Sequence, residues 1–281
     1  MLVALPEPFD FELTTERFRT FGRDPANLWS DGRLLRVVRG AEVSLAPAAG
    51  GVDVQPRPRA GVAAEVRRFL GASFDLLAFG RFAERADPVL ARLERGLRGL
   101  RPALALDPFE ALVGAITAQQ VSLRAASAIR ARLVERFGER HAHVWAFPAR
   151  ERVAAASADE LRALGYSMRK AQYVVSLARS PLDLAGLERL PDAEVKRALT
   201  ALPGLGEWTA DWFLARHLGR PDAWPAGDLA LRKAVGAFYF GGRDVTADEV
   251  RAFGDRFSPH QNLTAHYLLA GQRMRSSLLA A

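Results

Sequence analysis

The chain has 281 residues, of which 49% are hydrophobic and 25% are charged, so it can bury one large core or two smaller ones and is not a disordered protein. It contains no cysteine, which excludes disulfides, thiolate zinc sites and an iron–sulfur cluster, and no apolar run of about 18 residues, so we expect no transmembrane helix. Its net charge of +7 favours a polyanionic partner, although a codon bias towards arginine would produce the same charge without one.

Residues 1–58 are predicted to form an antiparallel sheet. Apolar and polar residues alternate over Phe9–Leu13, Leu34–Val38, Ala41–Ala46 and Gly51–Gln55. The start of the chain has no basic leader and soon reaches proline, so it predicts no signal peptide and favours a cytoplasmic location.

After this region the apolar spacing becomes helical. We predict helices over these segments: Val62–Leu70, Phe74–Phe82, Pro88–Leu97, Phe109–Gln120, Leu123–Phe137, 150–164, Met168–Arg179, 192–201, Asp228–Phe238, Ala247–Phe257 and Leu263–Arg275. The predicted fold class is therefore α+β. An N-terminal antiparallel sheet with helices (1–104) is expected to lie beside a mainly helical bundle (105–281).

The segment Leu202–Trp212, with the sequence LPGLGEWTADW, is the most informative in the chain. Helical spacing precedes and follows it, and we expect Gly204 and Gly206 to take positive φ in a tight turn between the two helices. Such a turn leaves the first amides of the second helix without acceptors, which suits a DNA phosphate. Taken alone, Pro-Gly-x-Gly is equally a structural turn.

Asp228 follows the hairpin after a Pro-Ala-Gly loop and opens the next helix. An isolated aspartate there is usually an N-cap, but a carboxylate can also stabilise the cationic sugar formed when a glycosidic bond breaks. Trp208 and Trp212 lie four residues apart, so we expect them to share a helix face as a stacking wall for an extruded base. A core position explains Trp212 equally well. Gln120 suits either a wedge that fills the vacated gap or simple solvated polarity.

These segments resemble the AlkA-type 3-methyladenine DNA glycosylase II of the helix-hairpin-helix superfamily. The matching stretches are FEALV at 109–113, QQVS at 119–122, the hairpin at 202–212 and GDLAL at 227–231. The resemblance covers residues 105–275. It implies a monofunctional enzyme that flips an alkylated base out of duplex DNA and hydrolyses its N-glycosidic bond, which initiates base excision repair.

Position by position, the resemblance implies that Asp228 is the catalytic aspartate, that Trp208 and Trp212 line the base pocket, and that Gln120 is the intercalating wedge. The implied phosphate contacts are Pro203, Gly204, Leu205, Gly206, Arg232 and Lys233. The resemblance implies no required cofactor and no metal on side chains, but often a Na⁺ or K⁺ ion on the backbone carbonyls of 202–206. The expected partner is double-stranded DNA with damaged bases, bound by a monomer at the nucleoid and not at a membrane.

The chain departs from the family pattern in two places. The family wedge is usually apolar, whereas Gln120 is polar, and Pro259-His260-Gln261-Asn262 stands where the family often has Pro-Trp-Arg-Ser. His260 is therefore predicted to replace a pocket tryptophan, and either change would alter which alkylated or deaminated base is accepted.

Two alternatives remain open. An 8-oxoguanine-type glycosylase shares the two-domain plan, but bifunctional relatives place a Schiff-base lysine where this chain has Trp208, and no lysine occurs between 196 and 233. The absent lysine therefore favours hydrolysis. A noncatalytic helix-hairpin-helix DNA-binding protein is the other alternative, and Asp228 beside the tryptophans argues against it.

Overall fold

The computed structural model describes residues 1–57 and 59–274, and over these residues it confirms the α+β prediction. Two predicted segments reach residues outside this range, at Pro58 and Arg275. No helix in the described ranges is long and apolar enough to cross a membrane.

The N-terminal region contains an antiparallel sheet. Its strands are β1 Leu2–Ala4, β2 Asn27–Ser30, β3 Arg33–Val38, β4 Ala41–Ala48 and β5 Gly51–Gln55. They lie in the order β1-β5-β4-β3-β2. Leu34 pairs with Leu45 and Leu45 pairs with Val54, so their side chains stack on one buried face.

The segment Phe9–Leu13 forms no strand. Asp10 accepts a hydrogen bond from the Leu13 amide at 2.8 Å and caps helix α1, which spans Phe11–Thr15. An N-cap is a strong local signal, and a five-residue alternation is too short to outweigh it.

The remaining helices and two short strands follow in chain order. They are α2 Arg17–Thr20, α3 Val62–Phe69, α4 Leu76–Ala86, α5 Pro88–Gly96, α6 Pro108–Ala118, α7 Leu123–Phe137, β6 Glu139–Arg140, β7 Trp145–Ala146, α8 Arg150–Ala154, α9 Ala158–Ala163, α10 Met168–Arg179, α11 Asp192–Thr200, α12 Glu207–Phe213, α13 Leu229–Tyr239, α14 Ala247–Gly254 and α15 Gln261–Arg273. Helix α12 continues into a π-helical turn over Leu214–Leu218, a widened geometry that is frequent at functional sites.

The buried side chains form two cores, and the predicted domain boundary at 104 stays a prediction. One core runs from Val3 to Leu70 and includes Ala103, whereas the other runs from Phe74 to Ala270. Helices α4 and α5 therefore belong to the helical core. Pro108 is the first residue of α6, and Pro102 lies in the segment between α5 and α6.

Candidate active site

The hairpin joins α11 to α12 through one left-handed glycine. Gly204 has a φ of +82°, as predicted, and a Cβ built there would lie 2.2 Å from the Tyr173 ring. The expectation for Gly206 is wrong, because its φ of −95° and ψ of −177° are extended. One left-handed residue suffices to reverse the chain here, and an extended residue then serves as the N-cap of α12.

The amides that follow this turn are available to an anion. Within the described ranges, the N–H groups of Gly206, Glu207 and Trp208 have no acceptor. Leu205 is buried, so it offers only its backbone, while Pro203 is exposed. The predicted phosphate contact would therefore be made by main-chain groups.

Gly204→Ala should lower the free energy of unfolding by about 2 kcal/mol or more, because a positive φ costs alanine about 1–2 kcal/mol and its Cβ meets Tyr173. Gly206→Ala is the matched control, since its Cβ enters open space, and it should stay within about 0.5 kcal/mol. Urea unfolding of both variants measures the difference. Equal destabilisation would contradict this account of the turn.

Asp228 is both a helix cap and the acceptor of two indole hydrogen bonds. Its Oδ1 accepts from the Leu231 amide at 2.9 Å, which caps α13. Its Oδ2 accepts from Trp208 Nε1 at 2.8 Å and from Trp212 Nε1 at 3.0 Å. The two tryptophans therefore hold one oxygen of a half-exposed carboxylate in place, which an N-cap alone does not require.

Trp212 is almost entirely covered by neighbouring side chains. Only 5% of it is exposed, the Arg216 guanidinium carbon lies 3.7 Å from its ring centroid, and the His266 ring meets it edge-on at 5.8 Å. Trp208 is only partly buried, so it is the tryptophan that retains an accessible surface.

Arg216 and His266 join this group although the sequence analysis did not select them. Burial lowers the pKa of Arg216 to about 9; Arg17 and Arg273 lower it too, and Asp228 opposes them. Burial and the charge of Arg216 lower the pKa of His266 to about 3, so this histidine is neutral at physiological pH. The i, i+4 spacing of Trp212 and Arg216 predicts that their side chains are neighbours, so Arg216 could have been identified from the sequence.

Among the described residues, the ring contacts of His260 are with other aromatic side chains than the two tryptophans, and its assignment to the base pocket stays a prediction. Its ring lies 5.8 Å from that of Phe79 and 5.0 Å from that of Phe82, in a surface groove beside Arg81. His260 precedes the first turn of α15. Six residues of helix span roughly 9 Å, so the contact with Trp212 is made by His266 further along.

Gln120 lies on an exposed, left-handed turn between α6 and α7, with a φ of +53°. Its neighbour Gln119 donates a hydrogen bond from Nε2 to the Gly204 carbonyl at 2.9 Å. Lys170 donates from Nζ to the carbonyl of Thr117 at 3.0 Å and to that of Gln119. The residue that precedes the predicted wedge is therefore joined to the hairpin by a direct hydrogen bond.

Gln120→Ala should slow excision from stable base pairs about tenfold, because the gap filler and one or two hydrogen bonds worth 1–2 kcal/mol are lost. The loss should shrink when the lesion is mispaired, since flipping then costs less. Single-turnover rates against four opposing bases measure both effects. Gln120→Gly should slow excision to the same extent as Gln120→Ala, because glycine suits the left-handed backbone and also lacks the side chain. Unchanged rates would leave Gln120 as a solvated residue.

The two basic residues of α13 differ in how far they are exposed to solvent. Arg232 donates from Nε to the Val245 carbonyl at 2.7 Å and is half-buried, so part of its side chain has a structural partner. Lys233 is exposed. Of the other lysines, Lys196 pairs with Asp211 at 2.6 Å, and Lys170 binds the two carbonyls described above.

A monovalent cation at the hairpin would need free carbonyls. Those of Leu202, Gly204 and Gly206 already accept N–H groups. Among the described residues, the carbonyls of Pro203 and Leu205 accept none, so they fit a cation best. The described ranges contain no cluster of three or more His, Asp or Glu side chains suited to a metal.

Comparison with known proteins places this geometry in a family. A family profile described as "HhH-GPD superfamily base excision DNA repair protein" matches residues 113–259. DNA-3-methyladenine glycosylase 2 of Escherichia coli is 31% identical over 204 residues, which cover 70% of this chain and 68% of that protein. The matches to two Bacillus subtilis relatives span 57% and 66% of their lengths.

Solved structures agree with the sequence comparison. The 3-methyladenine DNA-glycosylase of Archaeoglobus fulgidus superposes with a TM-score of 0.89 at 27% identity, covering 98% of this chain and 99% of that one. The Clostridium acetobutylicum 8-oxoguanine glycosylase/lyase superposes at 0.81 with 18% identity, covering 95% and 93%, and shares the fold. The chain therefore belongs to the HhH-GPD superfamily of base excision DNA repair proteins, and its relatives are of the AlkA type.

Proposed function

We propose that this protein is a monofunctional DNA glycosylase that flips alkylated, 3-methyladenine-like bases out of duplex DNA and hydrolyses their N-glycosidic bonds. The observation that carries the proposal is the Asp228 carboxylate, held by two indole N–H groups at the start of α13. Breaking the bond leaves positive charge on the sugar, and a fixed carboxylate beside C1′ stabilises it more than a mobile, hydrated one.

The other parts of the site have matching roles in this proposal. The free amides after Gly204 contact a phosphate, with a Na⁺ or K⁺ ion on neighbouring carbonyls, while Lys233 and the outer nitrogens of Arg232 add charge. Trp208 faces the flipped base, and Gln120 enters the gap it leaves. The protein would act as a monomer on the nucleoid in the cytoplasm, where its substrate is found.

The product distinguishes this function from its alternatives. Duplex DNA with single alkylated bases should yield free base and intact abasic sites, with strand breaks appearing only after alkali. Because Trp208 stands where bifunctional relatives have a Schiff-base lysine, and Lys170 and Lys196 are bound to other groups, borohydride should trap no covalent adduct. A trapped adduct or preferential release of 8-oxoguanine would favour the 8-oxoguanine-type enzyme, and binding without release would favour a noncatalytic protein.

A further inference from the structure

We propose that Gln119 is a positioning residue, which fixes the turn that carries Gln120 against the phosphate-binding hairpin. DNA held by the hairpin would then meet a wedge that already points at the base stack. This inference rests on the proposed function, because it concerns how the predicted wedge of that enzyme is held in place.

The side chain of Gln119 contacts the hairpin at two points. Its Nε2 donates to the Gly204 carbonyl at 2.9 Å and lies 3.4 Å from Oγ1 of Thr209, a buried residue in the first turn of α12. The amides at 206–208, which are free among the described residues, lie between these two points in the chain. An anion bound by those amides would therefore lie on a short segment that Gln119 contacts on both sides.

The main chain of Gln119 is held as well. Lys170 of α10 donates from Nζ to the carbonyls of Thr117 and Gln119, at the end of α6. Carbonyls at the C-terminal end of a helix have no donor within the helix, so a lysine there satisfies them and also interacts favourably with the helix dipole. Gln119 is thus fixed through its side chain to the hairpin and through its carbonyl to α10.

Gln120 follows this fixed residue in a backbone conformation that needs support. Its φ of +53° is unfavourable for a residue with a Cβ, and such a conformation persists where the surroundings impose it. On the other side of the turn, Ser122 accepts from the Ala125 amide at 3.2 Å and caps α7. The side chain of Gln120 is exposed and, within residues 1–57 and 59–274, makes no hydrogen bond. The turn therefore fixes the backbone of Gln120 and leaves its side chain available.

A wedge that is positioned in advance lowers the cost of base flipping. A mobile turn loses conformational freedom when its side chain enters the base stack, whereas a turn that is already fixed loses less. The benefit should be largest for a stable base pair, where flipping is costly, and smallest for a mispaired lesion. Loss of the Gln119 amide should therefore affect the two substrates unequally.

The test measures single-turnover release of N7-methylguanine placed opposite cytosine and opposite thymine. Gln119→Met keeps an unbranched side chain of similar length but removes the donor. We expect release to fall about fivefold or more opposite cytosine and less than about twofold opposite thymine. Gln55→Met is the matched control, since it removes an Nε2 donor to Asp53 in the N-terminal sheet and should change neither rate. The ratio of the two rates is measured on one preparation, so a loss of folded protein cancels from it.

The double variant of Gln119→Met with Gln120→Ala gives a second readout. If Gln119 acts through Gln120, the double variant should be about as slow as Gln120→Ala alone. Multiplied losses, or an equal fall opposite both bases, would show that Gln119 only supports the fold and would overturn the proposal. Unchanged rates for Gln119→Met or for Gln120→Ala would also overturn it, while leaving the proposed function intact. Release of neither N7-methylguanine nor 3-methyladenine by the parent would instead overturn the proposed function.

Discussion

Asp228→Asn is expected to lower base excision at least about 1000-fold while lesion-DNA affinity stays within about threefold. The substitution removes the negative charge that faces the sugar cation, whereas the hairpin amides and basic side chains that would contact phosphates are untouched. Single-turnover excision and fluorescence anisotropy on the same lesion duplex measure the two quantities.

Two further variants separate the charge from the cap. Asparagine has one oxygen where aspartate has two, so it cannot accept from both the indoles and the Leu231 amide, and stability should fall by about 1 kcal/mol. Asp228→Ser restores a good cap without a carboxylate and should remain inactive. Asp222→Asn, an exposed carboxylate outside the Asp228 group, should be fully active. Near-parental turnover by Asp228→Asn would refute the assignment.

Replacing both Trp208 and Trp212 by phenylalanine should lower excision about 100-fold, with each single change costing about tenfold. Phenylalanine keeps an aromatic ring but removes the N–H that binds Asp228 Oδ2, and a hydrogen bond to a charged group contributes about 1.5–3 kcal/mol. Both donors share one acceptor, so a departure of the double variant from this 100-fold product would measure the coupling between them.

Trp224→Phe is the matched control for this pair. Its indole N–H donates to the Val250 carbonyl at 2.8 Å in the core, so its loss should reduce stability without a comparable loss of excision per folded molecule. If Trp224→Phe lowers excision as much as Trp208→Phe or Trp212→Phe, the indoles act through stability alone. Thermal unfolding of all variants supplies the comparison.

The sequence was informative where a short local pattern has a single structural solution. The turn at Gly204, the helix starting after Asp228 and most helices are of this kind, since caps and glycines act over a few residues. Gly206 was misassigned because glycine permits positive φ without requiring it. The two tryptophans were correctly paired on one face, but their N–H groups were not predicted to bind Asp228.

Contacts between distant segments could not be predicted in the same way. His266 meets Trp212 because α15 packs beside the hairpin, and Gln119 meets Gly204 because α6 does. The sequence separation between residues 119 and 204, or between 212 and 266, does not predict that they are in contact. The histidine that contacts Trp212 is His266, and the motif at 259–262 gave no indication of it.

The division of the two cores has a consequence for chimaeric proteins. Leu93 of α5 lies against Gly271 of α15, and the buried Arg101 donates to the carbonyls of Gly71, Phe74 and Pro6. Grafting residues 105–274 onto the N-terminal half of a relative would replace α5, the native neighbour of α15. A junction at 71–73 keeps that interface intact, but the foreign half must then supply the partners that residues 1–70 provide. Among them are the Pro6 carbonyl and the Thr14 hydroxyl that bind Arg101, and the Asp24 carboxylate that binds Arg130.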